Sequence, residues 1–366
     1  MRNIIKYQMV ILALLMFCIA VVAKTGPAKL WGASVAFLSG MRADWDEEAT
    51  IACTETAVYA ASRRGQIAAI DAATGKIKWK AKLKKAIPFG IAVDDNGVYL
   101  GLEDGTFRSY DPNDGKMRWS MDLKSAIVSP PSVWNGIVYF ITGDNTFYAV
   151  DAQTGKWEWQ YKRDPRKRMS ILGLPRSIID QQIVFFGTSD GLITALDALT
   201  GEILWGKRLS ETRRRFEDVD STPLILKSSI FIASYDGDVY SIDRESGNIV
   251  WKFDRGSIKP IAITKEGYVV VSGQDNYMHA LNQLNGQYEW RFRCHEGKAA
   301  FTGAVVVGDK VIFGCSWGHV HIVNSADGEQ VKRFRTWGGI TCSPVSFGGR
   351  VFVLDGKGQV EAYSVE

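Results

Sequence analysis

Asp or Asn, then Gly four residues later and Trp four after that, recurs six times along this chain: Asp71, Gly75, Trp79; Asp111, Gly115, Trp119; Asp151, Gly155, Trp159; Asp197, Gly201, Trp205; Asp243, Gly247, Trp251; and Asn282, Gly286, Trp290. A seventh copy keeps Asn324 and Gly328 but carries Lys332 at the Trp position, and an eighth, Val351 to Val365, ends before its last strand. Successive Asp/Asn positions lie 40, 40, 46, 46, 39 and 42 residues apart, which is the period of a four-stranded propeller blade. The sequence therefore predicts an all-β fold, an eight-bladed β-propeller with four-stranded antiparallel blades.

Each copy gives local reasons for its geometry. The Asp side chain can accept from backbone N–H groups ahead of it, and the Gly supplies a left-handed residue, so each signature begins with a turn. Two residues before the Asp or Asn stands a small residue in nearly every copy (Ala69, Ser109, Ala149, Ala195, Ser241, Ala280, Ala362), with Ile322 the exception. Such a position lets a bulky neighbour approach, and the recurrent Trp is that neighbour. The outer strand missing from the eighth copy is found at the other end of the chain. Lys29 to Val35 fits the outer-strand pattern with Trp31 at the Trp position, so the N-terminal strand is expected to close the ring and remove a free sheet edge. The expected docking tryptophans are thus Trp31, Trp79, Trp119, Trp159, Trp205, Trp251 and Trp290.

Composition agrees with a packed β-protein: 46% hydrophobic, 11% aromatic and 36 Gly are far from a disordered chain. A formal net charge of +4, part of it from Arg2 and Lys6, gives no global reason to expect nucleic-acid binding. Arg2 and Lys6 precede an apolar run from Met9 to Ala23, shorter than a spanning helix requires and ending in small residues before Lys24. Residues 1–23 are expected to be a cleaved secretory signal and 24–366 the propeller; a retained anchor, or lipidation at Cys18 despite bulky Phe17 before it, are the alternatives.

Export permits disulfides, but Cys53, Cys294, Cys315 and Cys342 show no CxxC, no adjacent pair and no metal-ligand spacing, so buried free thiols are expected. His319 and His321 share one strand face, and His279 occupies the repeat position of His321 one copy earlier. That position holds Ala68, Arg108, Tyr148, Thr194 and Tyr240 elsewhere, so no metal site is assigned. Hydrolase and phosphate-loop motifs are absent from the sequence, and no catalytic residue is assigned.

The Ala-x-Asp-x-x-Thr-Gly-x-x-x-Trp unit, clean from Ala69 to Trp79 and from Ala195 to Trp205, resembles the tryptophan-docking repeat of quinoprotein (PQQ-like) β-propellers. The stretch Phe216 to Pro223, with Asp218-Val219-Asp220-Ser221-Thr222-Pro223, and the blade after it through Trp251 are similar to the BamB family, the propeller subunit of the outer-membrane β-barrel assembly machinery. The resemblance implies a periplasmic, non-catalytic scaffold without a cofactor, associated with the outer membrane and bound to the periplasmic domains of the barrel-inserting subunit. It implies partner contacts at Asp218 and Asp220 and in the loop before the fourth blade. There Ser170-Ile171-Leu172-Gly173 stands where the family has Ser-Leu-Arg-Gly, with Leu172 in place of the arginine. The alternative is a quinone-dependent enzyme or another periplasmic propeller with a small ligand or different partner; the adjacent Cys pair common in such enzymes is lacking.

The residues themselves also mark a site. The two 46-residue periods each insert about six residues between one blade and the next, and both inserts are basic. The first carries Lys162, Arg163, Arg166, Lys167 and Arg168 followed by apolar Met169, Ile171, Leu172 and Leu174; the second carries Lys207, Arg208, Arg213, Arg214 and Arg215 ahead of Asp218 and Asp220. Long like-charged loops on a rigid ring, with apolar groups rimmed by arginine, are expected to bind a protein partner.

Overall fold

A computed structural model describes residues 26–35, 50–163, 174–188, 191–209, 219, 221–234, 237–256, 259–294 and 299–365. The expected signal at 1–23 and Cys18 lie outside them. The described strands form eight separate four-stranded antiparallel sheets. Seven of them run in chain order over residues 50–82, 91–122, 132–162, 178–208, 224–253, 262–293 and 301–335. First strands of neighbouring blades touch one another at five junctions, the first blade contacting both the second and the eighth, so these strands lie on the inner side of the ring.

Burial follows strand position. Second strands such as Ile137–Ile141 and third strands such as Leu192–Asp197 are buried on both faces because each blade is covered by two neighbours, which is why they are almost wholly apolar. Outer strands such as Ile77–Lys82 cover only one side and alternate exposed with half-buried residues. Eight apolar clusters carry the core.

The tryptophans join blades. Trp79 stands directly opposite Ala69 on the neighbouring strand, and Trp119 likewise opposes Ser109, so the small residue is where the indole crosses. Each indole then reaches the turn of the following blade. Trp79 Nε1 donates to Pro112 O at 2.9 Å, Trp119 to Ala152 O at 3.0 Å and Trp159 to Ala198 O at 3.0 Å. Trp205, Trp251 and Trp290 repeat the bond to Arg244, Gln283 and Ser325.

The ring closes as the sequence predicts. Ala28–Ser34 pairs antiparallel with Gln359–Ser364, putting Trp31 opposite Ala362, and Trp31 Nε1 donates to Ala72 O of the first blade at 3.2 Å. Arg350 Nη1 donates to the same carbonyl at 2.8 Å, and Lys29 forms an ion pair with buried Glu361. Lys332 also acquires a reason. The eighth blade has no turn between its third and outer strands, because those strands come from opposite chain ends, so nothing there would receive an indole.

Candidate docking face

The connections from each outer strand to the next blade run beside the turns between second and third strands. Leu83 N donates to Gly65 O at 2.8 Å, Leu123 N to Gly105 O at 2.9 Å, Arg163 N to Asn145 O at 3.3 Å, Leu209 N to Gly191 O at 2.9 Å and Thr336 N to Gly318 O at 2.9 Å. Repetition of one bond around the ring puts these connections on one face. Two are longer than their siblings: 163–177 and 209–223, against 83–90 and 123–131. They open from consecutive junctions, before the fourth and fifth blades.

Both long connections are pinned at their feet. Leu174 is buried and its N–H donates to Val128 O at 2.6 Å, while Val219 forms an isolated bridge with Ser234. Val219 packs where a Cβ on Gly187 would stand 2.6 Å from its side chain, as Ile127 does at Gly101 and Ile340 at Gly314. A buried aliphatic residue near the end of each connection is therefore part of the repeat, and the inserted residues lie outside it. Arg166, Lys167, Arg168, Met169, Ile171, Leu172, Arg213, Arg214, Arg215, Asp218 and Asp220 all fall outside the described residues.

Arg176, at the foot of the first long connection, was not legible in the sequence. Its guanidinium donates through Nη2 to Ile91 O at 2.8 Å, from the fourth blade to the first strand of the second. Burial pulls it down to about 10, which leaves it cationic at neutral pH. The junction between the fourth and fifth blades is held from the other face by Arg244, which ion-pairs with Asp180 at 2.5 Å and lies 5.7 Å from the centre of the Phe185 ring. The described feet of both long connections are thus tied into the ring, the kind of scaffold on which binding loops are carried. The same face carries Trp337, 73% exposed beside Lys357 and Gln359.

The turn aspartates do structural work. Asp71, Asp151 and Asp243 each accept from the hydroxyl and N–H three residues ahead, and these bonds hold their carboxyl groups below the usual carboxylate range. His279 and His321 sit at different junctions of the ring. His279 packs edge-on to Phe253 of the fifth blade, whereas His321 lies against Phe292 of the sixth. None of the four described cysteines is in a disulfide, but only Cys294 and Cys315 are buried; Cys53 and Cys342 are half-buried, and desolvation pushes the Cys53 thiol up to about 11. The ligand atoms of Cys294, Cys315 and His321 lie within 4.8 Å of one another.

A family model described as "Outer membrane protein assembly factor BamB" matches residues 18–111, 63–291 and 228–333. A protein of that name from Legionella pneumophila (strain Paris) is 29% identical over 91 residues, 25% of this chain and 23% of its own length, so that match spans less than a quarter of the curated relative. The crystal structure of BamB from Moraxella catarrhalis superposes with a TM-score of 0.74 at 25% identity, covering 92% of this chain and 97% of that one. Quinohemoprotein alcohol dehydrogenase from Comamonas testosteroni superposes with a TM-score of 0.78 at 15% identity over 93% and 77% of the two chains, a likeness of fold alone.

Proposed function

The chain belongs to the outer membrane protein assembly factor BamB family, and from that premise we propose that it is a non-catalytic periplasmic scaffold assisting assembly of outer-membrane β-barrel proteins. The face bearing the two long connections binds the periplasmic domains of the barrel-inserting subunit. The observation that carries this reading is their placement: two basic insertions leave consecutive junctions on one face, each from a buried foot, at Leu174 and Val219. Ile171 and Leu172 supply the apolar centre of the contact, and Arg166, Lys167, Arg168 and Arg213 to Arg215 its charged rim, with Met169, Asp218 and Asp220 beside them. Exported and released from residues 1–23, the propeller acts at the inner surface of the outer membrane.

The test is capture of the purified periplasmic part of the barrel-inserting subunit. Replacing Ile171 and Leu172 with Asp abolishes capture while thermal melting stays unchanged, because the buried aliphatic residue that recurs in these connections is Leu174 here. Neutralising Arg213, Arg214 and Arg215 slows association and flattens its salt dependence more than it speeds dissociation. Wild-type capture by both variants at unaltered melting would place the docking face elsewhere.

A further inference from the structure

The junction between the sixth and seventh blades holds a cluster that the scaffold role does not use. Cys294 follows the outer strand Tyr288–Arg293, Cys315 ends the strand Lys310–Cys315, and His321 lies in the strand His319–Asn324. All three are buried, at 2%, 0% and 1% exposure. Their ligand atoms lie within 4.8 Å of one another although as many as 27 positions separate them in the chain. We propose that Cys294, Cys315 and His321 form a structural binding site for a thiophilic cation, Zn2+ foremost, that ties the sixth blade to the seventh.

The repeats supply an internal control. Strand register places Cys294 where other blades have Leu83, Leu123, Leu209, Arg163, Arg255 and Thr336, and Cys315 where they have Ser62, Thr142, Thr188, Ser234, Leu102, Gly273 and Asp355. The position of His321 holds Ala68, Arg108, Tyr148 and Thr194 elsewhere. The preceding junction, which has His279 at that position, has Arg255 and Gly273 at the other two. Across the repeats, two thiols and an imidazole coincide at these three positions at one junction alone. Packing alone does not call for a thiol at the first position, since leucine or valine fills it in four other blades (Leu83, Leu123, Leu209 and Val35).

The chemistry of the donors selects the ion. Sulfur and imidazole nitrogen are the ligands of Zn2+ and Cu+, whereas Mg2+ and Ca2+ take oxygen. His321 Nδ1 lies 3.0 Å from Gln330 Oε1; an amide oxygen only accepts, so Nδ1 carries the proton and the ring's lone pair is on Nε2. Fixing the tautomer through the other ring nitrogen is the usual support of a metal-bound histidine. Two thiolates balance the charge of Zn2+ and would carry one negative charge with Cu+. A neutral site suits the apolar surroundings of Phe292, Phe301 and Phe313.

The full-length protein, purified without chelator, should carry about one zinc per chain by elemental analysis, a stoichiometric structural site. Exchange with Co2+ should give sulfur-to-cobalt charge-transfer bands. Cys315→Ser and His321→Gln should lose the metal and the bands, while the double variant Cys53→Ser, Cys342→Ser keeps both. Copper instead of zinc at the same stoichiometry, lost in the same variants, supports the site and reassigns its ion. Metal-free protein that gives no cobalt spectrum overturns the proposal whether or not the variants fold. Thiol titration of the double variant, with Cys18 also replaced by Ser, then distinguishes a Cys294–Cys315 disulfide from a packed pair of free thiols, and either result refutes the site.

Discussion

Trp119 of the second blade lies over Gly155 of the third, so close that a Cβ on the glycine would stand 2.7 Å from the indole. Gly155 also has φ of 70°. The turn therefore needs glycine twice, once for backbone conformation and once for room, and the signature couples neighbouring blades rather than merely shaping each hairpin. Gly155→Ala should cost about 2–4 kcal/mol, the left-handed strain and the overpacking together. Trp119→Phe in the same background should recover part of that loss, because the smaller ring gives way. Urea unfolding of the two single variants and the double checks the coupling, and strict additivity would show that the contact is not shared.

At the seam the same logic runs in reverse. Lys332 occupies a Trp position but faces a blade whose outer strand is Ala28–Ser34 rather than a continuation of its third strand, so Lys332→Trp should change stability by no more than about 0.5 kcal/mol. Trp290 is buried and bonds to Ser325 O at 2.9 Å. Trp290→Lys should cost about 3–5 kcal/mol. Equal effects in thermal melts of the two variants would contradict the assignment of the seam. Deleting Ala28–Ser34 should be the most damaging change, since it removes Trp31 and bares Gln359–Ser364 as an edge.

The ring was legible because its determinants repeat. Trp31 could be assigned from distant sequence because it fits a register written six other times, and the structure places it opposite Ala362 as that register requires. The indole's true seat, over the next blade's glycine, was less visible, since every copy contains both a Trp and a Gly and intra-blade packing was equally consistent with spacing. Arg176 had no signal: its partner is the Ile91 carbonyl, and backbone groups leave no mark in sequence. Cys294, Cys315 and His321 escaped for another reason. Metal spacings are recognised along one strand or loop, whereas these converge through packing of two blades, and they show only when the repeats are laid in register.

Arg176 offers a test of how far the docking face depends on its feet. Its guanidinium reaches Ile91 O at 2.8 Å and remains charged. Arg176→Met keeps the apolar stem but removes the bond, and should cost about 1–3 kcal/mol in urea unfolding. If the foot of the first long connection matters for binding, partner dissociation should also accelerate while association is unaffected. Unchanged stability would show that the bond is offset by the desolvation of the cation.

His279 should give the fold a measurable acid sensitivity. It is fully buried, with Nε2 2.9 Å from Asp275 Oδ1 and its ring among Phe253, Tyr277 and Tyr288. Burial lowers its pKa below the ordinary 6.5, and Arg291 and Arg255 push the same way; the Asp275 carboxylate opposes them without prevailing. The folded state therefore binds its proton less readily than the unfolded chain. Stability from this group is complete above the unfolded value and is lost as pH falls through 6.5 towards the folded value. The slope from one such group is at most about 1.4 kcal/mol per pH unit. His279→Phe fills the ring's place without a titrating group, so the variant should lose less stability than the wild type between about pH 7 and pH 5. Comparing slopes rather than absolute melting temperatures removes the cost of leaving Asp275 without its imidazole. Parallel pH profiles for the two proteins would mean that His279 titrates alike in the folded and unfolded states.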